Sequence, residues 1–277
     1  MKRIIFSILF ICSLCAISIP SFASLIITPL QAVIEGRERR VQGVLVNNSN
    51  TISTYRVEWQ QLNQVQGTGG YVEIKDGQDD GKTNLKDFAV FSPRQITLGP
   101  REKQTVRVAV RRPADLPDGE YRSHLNFRII DKQDVDQSRV NLNENERRVK
   151  ARVMASYSIP AIYRKGEYDV DVTFGQPSFS VNPNNGRMLV NLPVNRSGIH
   201  GVIGQIEIFH TPNGGQETMI GSLANANLFT DITQRNFTIL SRVTGLSAGT
   251  LRVVFSKAEG KAETHYVMAE ASFPVAN

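Results

Sequence analysis

The chain has 277 residues, 40% of them hydrophobic, and carries 32 lysines and arginines against 26 aspartates and glutamates, a formal net charge of +6. So mild a balance lacks the dense basic patch of a dedicated nucleic-acid binder, and the length suits two domains of roughly 100 to 150 residues better than one small sandwich. Cys12 and Cys15 are the only cysteines, so no disulfide framework is available and an apolar core has to hold the fold.

The first element in chain order is a targeting segment. Lys2 and Arg3 precede an apolar stretch from Ile4 to Ile19, and Ser21-Phe22-Ala23 forms a small-x-small cleavage site. This predicts export, with residues 1–23 removed as a signal peptide. Both cysteines leave with it, and the net charge of the remainder falls to +4. Leu14 before Cys15 is too bulky for lipoprotein-type cleavage. No later segment is long and apolar enough to span a bilayer, so stable membrane insertion is not expected.

Short alternating or apolar runs punctuated by turn residues follow, and helical periodicity is nearly absent. Val41 to Val46 leads into Asn47-Asn48-Ser49-Asn50, Tyr55, Val57 and Trp59 share one face of a strand, and Gln104 to Val110 alternates through Val106, Val108 and Val110. Tyr121 to Ile130 is a further strand after the turn Pro117-Asp118-Gly119. Strands at this spacing predict an all-β chain of immunoglobulin-like sandwiches. The polar segment Asp131 to Glu146 reads as a long loop.

Arg147 to Arg164 is the longest alternating run. Val149, Ala151, Val153, Ala155, Tyr157 and Ile159 recur at every second position, with Arg148, Lys150, Arg152, Ser156 and Ser158 between them. About twelve alternating residues exceed the usual strand of roughly five or six, and a strand of that length has to be paired or blunted. An interior sandwich strand and an edge kept open for a client strand both fit the pattern. Tyr163 to Glu167 has the character of a linker. Beyond it, Asp169–Phe174, Met188–Val194, Val202–Phe209, Thr238–Val243, Thr250–Ser256 and Thr264–Phe273 are predicted strands of a second domain. The expected organisation is a signal peptide at 1–23, one immunoglobulin-like domain at 24–165 and another at 166–277.

Catalytic chemistry is not indicated. His124, His200, His210 and His265 lack the paired spacing of a metal site, no serine stands in a G-x-S-x-G elbow, and no Gly-rich phosphate loop opens a helix. Neither an enzyme nor a cofactor is expected. Three glycosylation-type sequons, at Asn47, Asn195 and Asn236, are short enough to arise by chance.

Ser92-Pro93-Arg94-Gln95-Ile96-Thr97-Leu98-Gly99-Pro100, continuing into Gln104-Thr105-Val106-Arg107, and then Leu116-Pro117-Asp118-Gly119-Glu120-Tyr121-Arg122-Ser123-His124-Leu125-Asn126, closely resemble the first-domain signature of the periplasmic pilus chaperone family, the PapD-like proteins. Glu35-Gly36 at the end of the opening strand and Tyr163-Arg164 at the end of the alternating strand fit the same pattern. The resemblance covers most of residues 25 to 165 and is only architectural beyond.

It implies two immunoglobulin-like sandwiches in a boomerang arrangement, in the periplasm. It also implies binding of pilus or fimbrial subunits that lack a last strand, before delivery to an outer-membrane usher. The alternating run would be the donor strand in donor-strand complementation, with Val149, Ala151, Val153, Ala155 and Tyr157 facing the subunit. The family's basic pair for a client carboxylate falls on Gln31 and Pro160 in this chain, neither of them charged. Arg94, Arg164 and Lys165 are the candidate replacements. Glu120 and Arg164 fall on an acidic and a basic position that pair near the domain junction, and the third, acidic position of that set holds Lys257, with Glu259 close by. The rival from another class is an exported immunoglobulin-like structural or adhesin protein.

Overall fold

The computed structural model describes residues 25–75, 78, 82–130, 156–259 and 264–276. In chain order the first strands are β1 (Leu25–Thr28), β2 (Ala32–Ile34), β3 (Arg40–Asn47), β4 (Ser53–Gln60), β5 (Leu62–Gln64) and β6 (Tyr71–Glu73). A single 3-10 turn, Leu85–Asp87, leads to β7 (Ala89–Ser92), β8 (Gln95–Leu98), β9 (Lys103–Val110), β10 (Gly119–Ile130) and β11 (Ser156–Lys165). They form one sheet in the order β1-β3-β9-β7 and a second in the order β2-β11-β10-β4-β8, with β5 and β6 as a separate hairpin. The alternation of β4 and β9 sends Tyr55, Val57, Val106, Val108 and Val110 into one core with Leu45, Leu125, Phe127 and Tyr163.

The second set is β12 (Asp171–Phe174), β13 (Ser178–Val181), β14 (Met188–Ser197), β15 (Val202–Pro212), β16 (Thr218–Leu228), β17 (Gln234–Leu240), β18 (Gly249–Glu259) and β19 (Thr264–Val275). β14 pairs with β12, β13 and β17, and the facing sheet runs β16-β15-β18-β19. Val190, Leu192, Val194, Ile206, Ile208, Val253 and Phe255 make a core separate from the first. The all-β, two-sandwich architecture expected from the sequence is therefore the one observed, and among the described residues there is no α-helix.

Several details differ from expectation, among them the unforeseen short strands β5, β6 and β13. Tyr163, Arg164 and Lys165 belong to β11 rather than to a linker, because β10 pairs with them as far as Gly119↔Lys165. The strand expected at Thr238–Val243 lies earlier, at Gln234–Leu240, held by β14 from Leu189↔Leu240 to Asn195↔Gln234. β16 was not foreseen: its outer residues are polar, and the register slips where it pairs with Gly204 and Ile206 of β15, a bulge that blurs a two-residue period.

Candidate functional site: the edge of β11 and the junction cleft

β11 has two faces with different tasks. Ile159, Ala161 and Tyr163 are buried in the first core and Tyr157 packs against it, while Ile162 and Arg164 on the opposite face are also buried. One side of the strand is paired with β10 from Ser156 to Lys165. On the other side, β2 runs parallel and covers only Ala161, Ile162 and Tyr163. No described strand pairs with the outer side of Ser158, Ile159 and Pro160. Pro160 fits such a place, since a residue without an N–H is tolerated in a sheet chiefly at an edge. Val149, Ala151, Val153 and Ala155, the other expected donor residues, lie outside the described residues, as do the signal peptide and the segment Asp131 to Glu146.

At the C-terminal end of β11 the sandwiches meet around a cleft of about 440 Å³, lined on one side by Gln31, Val33, Glu35 and Arg164 and on the other by residues that include Gln205, Asn225 and Lys257. Two-residue spacing through β2 brings Gln31, Val33 and Glu35 to one face, and Gly36, at φ +60°, turns the chain directly after. The opposite wall is built at the irregular stretch of β15 and β16, where Asn225 has φ +55°.

Arg164 ties this junction together. Its Nε donates to Glu120 Oε2 at 2.9 Å, its Nη1 to Glu35, and its Nη2 to the carbonyl of Gly201 at 3.1 Å. Glu120 Oε2 in turn accepts the Gly201 N–H at 3.0 Å, so one buried ion pair grips the second sandwich through both main-chain polar groups of a single residue, Gly201. Burial alone would disfavour the guanidinium charge, yet Glu120, the Tyr168 hydroxyl and Glu35 outweigh it and raise its pKa. Tyr168 is pushed up to about 12, first by burial, against the opposing pull of Arg164 and with Glu120 and Glu35 adding to the rise. Lys257 completes the set, its Nζ 3.9 Å from Glu35 and 3.9 Å from the Tyr168 ring centre.

The four anchor candidates are thus dispersed. Gln31 and Arg164 share the cleft. Lys165 points elsewhere, to the Leu116 carbonyl and to Asp118 at 3.2 Å, and its own carbonyl takes a hydrogen bond from His200 Nε2 at 3.0 Å while His200 Nδ1 accepts the Asp169 N–H at 3.0 Å. Arg94, between β7 and β8, lines a different depression with Trp59 and Phe91. Glu35 and Lys257 are the residues whose junction role was missed. Glu35 was legible only as the end of a strand, and Lys257 only as a departure from an expected acid. His124 and His210 are buried, and the latter bonds the Ser247 carbonyl at 3.1 Å.

A second contact joins the sandwiches away from the cleft. The hairpin β5–β6 reaches across so that the Gly67 N–H meets the Gln234 carbonyl at 3.0 Å and the Asn236 N–H meets the Gly67 carbonyl at 2.6 Å, extending the sheet of β17 by one residue. Gln64 Oε1 accepts the Phe229 N–H at 2.7 Å. Beneath it, Arg122 pairs with Asp231 and stacks 4.0 Å from the Phe229 ring centre. Burial works against the Asp231 charge, but Arg122, the Gln64 N–H and Lys82 hold its carboxyl below the usual range. Among the described residues no cluster of histidine, cysteine and acidic side chains is set to hold a metal ion, and no helix is long and apolar enough to cross a membrane.

No protein-family model matches the chain, and no curated protein matches it. Solved structures do. The CsuC-CsuE chaperone-tip adhesion subunit complex from the archaic chaperone-usher Csu pili of Acinetobacter baumannii is similar at 14% identity and a TM-score of 0.42, covering 92% of this chain and 99% of that one. The CupB2 chaperone of Pseudomonas aeruginosa gives 10%, 0.44, 90% and 100%, and the Salmonella enterica SafA pilin in complex with the SafB chaperone gives 9%, 0.45, 93% and 99%.

Proposed function

We propose that this chain is a periplasmic chaperone of pilus or fimbrial subunits, acting by donor-strand complementation and handing its client to an outer-membrane usher. The first sandwich, 24–165, would carry the client and the second, 166–277, would complete the cleft; residues 1–23 would direct export and be removed. It would work without enzymatic activity or a cofactor, since an incompletely folded client itself stores the free energy for later transfer.

One observation carries this reading: over Ser158 to Pro160 the outer edge of β11 has no described strand against it, and the run of odd-numbered apolar residues leads straight into it. A strand continuing the β11 register would put Val149, Ala151, Val153 and Ala155 on the face of Tyr157 and Ile159. Its free edge would then supply the ladder and its apolar side chains the filling for an incomplete sandwich. The cleft offers a client terminus the neutral amide of Gln31 and, beside it, Lys257, whose charge already faces Glu35; Arg164 is already committed to Glu120, Glu35 and Gly201. Co-expression in a bacterial periplasm with the immunoglobulin-like subunits encoded beside its gene tests the proposal. A one-to-one complex that survives purification is expected, and subunits that fold and accumulate equally well without the chain would overturn it.

A further inference from the structure

The first sandwich has a second incomplete edge, three strands away from the cleft. β8 pairs with β4 only from Ser53↔Leu98 to Arg56↔Gln95, and the last link between them is the Val57 N–H to the Arg94 carbonyl at 2.9 Å. From there the chain has crossed to the other sheet, where β7 lies at the end of the order β1-β3-β9-β7. β4 itself continues to Gln60 against β10. In an antiparallel ladder residues two apart send their N–H and C=O to the same side, so the main-chain groups of Trp59 point the way those of Val57 do, past the end of β8. The slot left there is about 430 Å³ and is lined by Trp59, Val90 and Phe91, by Arg56 and Arg94, and by Glu58, whose carboxylate is already paired with Arg128 at 3.4 Å.

Its chemistry is that of a recognition surface. Trp59 and Phe91 meet edge to face with ring centres 5.2 Å apart and are only partly buried, although both project to the core side. Val90 beside them is 45% exposed. Arg56 and Arg94 are exposed, and neither forms an ion pair among the described residues. Tryptophan, aromatic neighbours and arginine are the residue types that concentrate binding free energy at interfaces.

We propose that this slot docks an extended acidic segment of a partner protein, added to β4 beyond the end of β8, with aliphatic side chains over Trp59 and Phe91 and carboxylates paired to Arg56 and Arg94. The two arginines select the sign of the partner, and the open ladder of β4 selects its extended form. The surface is separated from β11 by β10 and is distinct from the edge assigned to a pilus subunit, so its failure and the failure of that assignment are independent.

Trp59 is the only tryptophan of the chain and reports on the slot directly. The probe is a capped octapeptide of alternating aspartate and valine, titrated into the mature chain while tryptophan emission is followed. A saturable change is expected. It should weaken at least tenfold in the double variant Arg56→Ser/Arg94→Ser, weaken with added salt, and be absent with the lysine-valine octapeptide. No emission change at millimolar peptide, an equal response to the lysine peptide, or unaltered affinity in the double variant overturns the proposal. So does a concentration-dependent change without peptide, which would assign the slot to a second copy of the chain. The peptide comparison on the unmodified protein decides the matter even if the double variant folds poorly.

Discussion

Glu120 and Arg164 are register partners across β10 and β11, and their side chains meet at 2.9 Å at the point where both bond the main chain of one residue, Gly201. The Glu120 side chain is fully buried, whereas that of Glu35, the other carboxylate on Arg164, is 46% exposed. The two acids therefore carry unequal weight.

Glu120→Ala leaves a buried guanidinium with the half-exposed Glu35 as its remaining carboxylate partner beside the Gly201 carbonyl, and is expected to destabilise the protein by about 3 kcal/mol or more. Glu35→Ala is expected to cost no more than about 1 kcal/mol, as for exposed ion pairs. Urea denaturation of the two variants checks the difference; equal losses would contradict it.

The β5–β6 hairpin is expected to act as a strut between the sandwiches. Gly69 has φ +66°, and a Cβ there would fall 2.0 Å from Arg235 Nε, so Gly69→Val should lift the hairpin tip from β17. Hydrogen exchange at Asn236, whose N–H meets the Gly67 carbonyl, is the measurement. Its protection should drop at least tenfold while the amides of β14 keep theirs.

His124 is buried between Arg122 and Tyr71, and its pKa is lowered to about 3, by burial first and by Arg122 second, against an opposing pull from Asp231. A histidine depressed below its unfolded value near 6.5 binds fewer protons in the folded state. Its stability contribution is full above that value and is lost as pH falls toward 3, at about 1.4 kcal/mol per pH unit. His124→Gln should therefore show a shallower loss of stability between pH 6.5 and 4.5 than the unmodified chain. Parallel curves would refute the assignment.

Much of the fold was legible because β4 and β9 alternate and bury one face each, while β10, buried on both faces from Tyr121 to Phe127, keeps its apolar residues at every second position. The hairpin Leu62–Glu73 was not, because a three-residue strand such as β5 has too few positions to show a period, and the residues of the second sandwich that hold the hairpin are more than 160 positions away, as the Gln64–Asn227 and Gln66–Thr233 bonds show. The pairing of Glu120 with Arg164 was readable from the resemblance. The third member was not: Glu35 comes from the first sandwich through the parallel contact of β2 with β11, and a parallel neighbour leaves no local trace in sequence. Lys257 then faces an acid where an acid was expected, so the ion pair at the junction runs in the reverse sense.

In the cleft, Gln31→Ala is expected to weaken client capture by about 1 kcal/mol, the scale of a neutral hydrogen bond. Lys257→Ala, which removes a cation of 24% side-chain exposure against 5% for Arg164, should cost no more than about tenfold. Affinity should depend weakly on salt. A loss beyond a hundredfold in either variant, or a steep salt dependence, would reveal a charged lock. Arg164→Ala cannot serve this purpose, because it dismantles the junction as well.

The most direct test of the chaperone assignment is subunit capture by Val153→Asp measured beside Arg152→Ala. Val153 is central in the apolar run and Arg152 lies between its members. A carboxylate forced into a client's groove without a partner costs several kcal/mol, so folded Val153→Asp protein should capture no subunit while Arg152→Ala captures it nearly as well as the unmodified chain. Normal capture and fibre assembly by folded Val153→Asp protein would contradict the account.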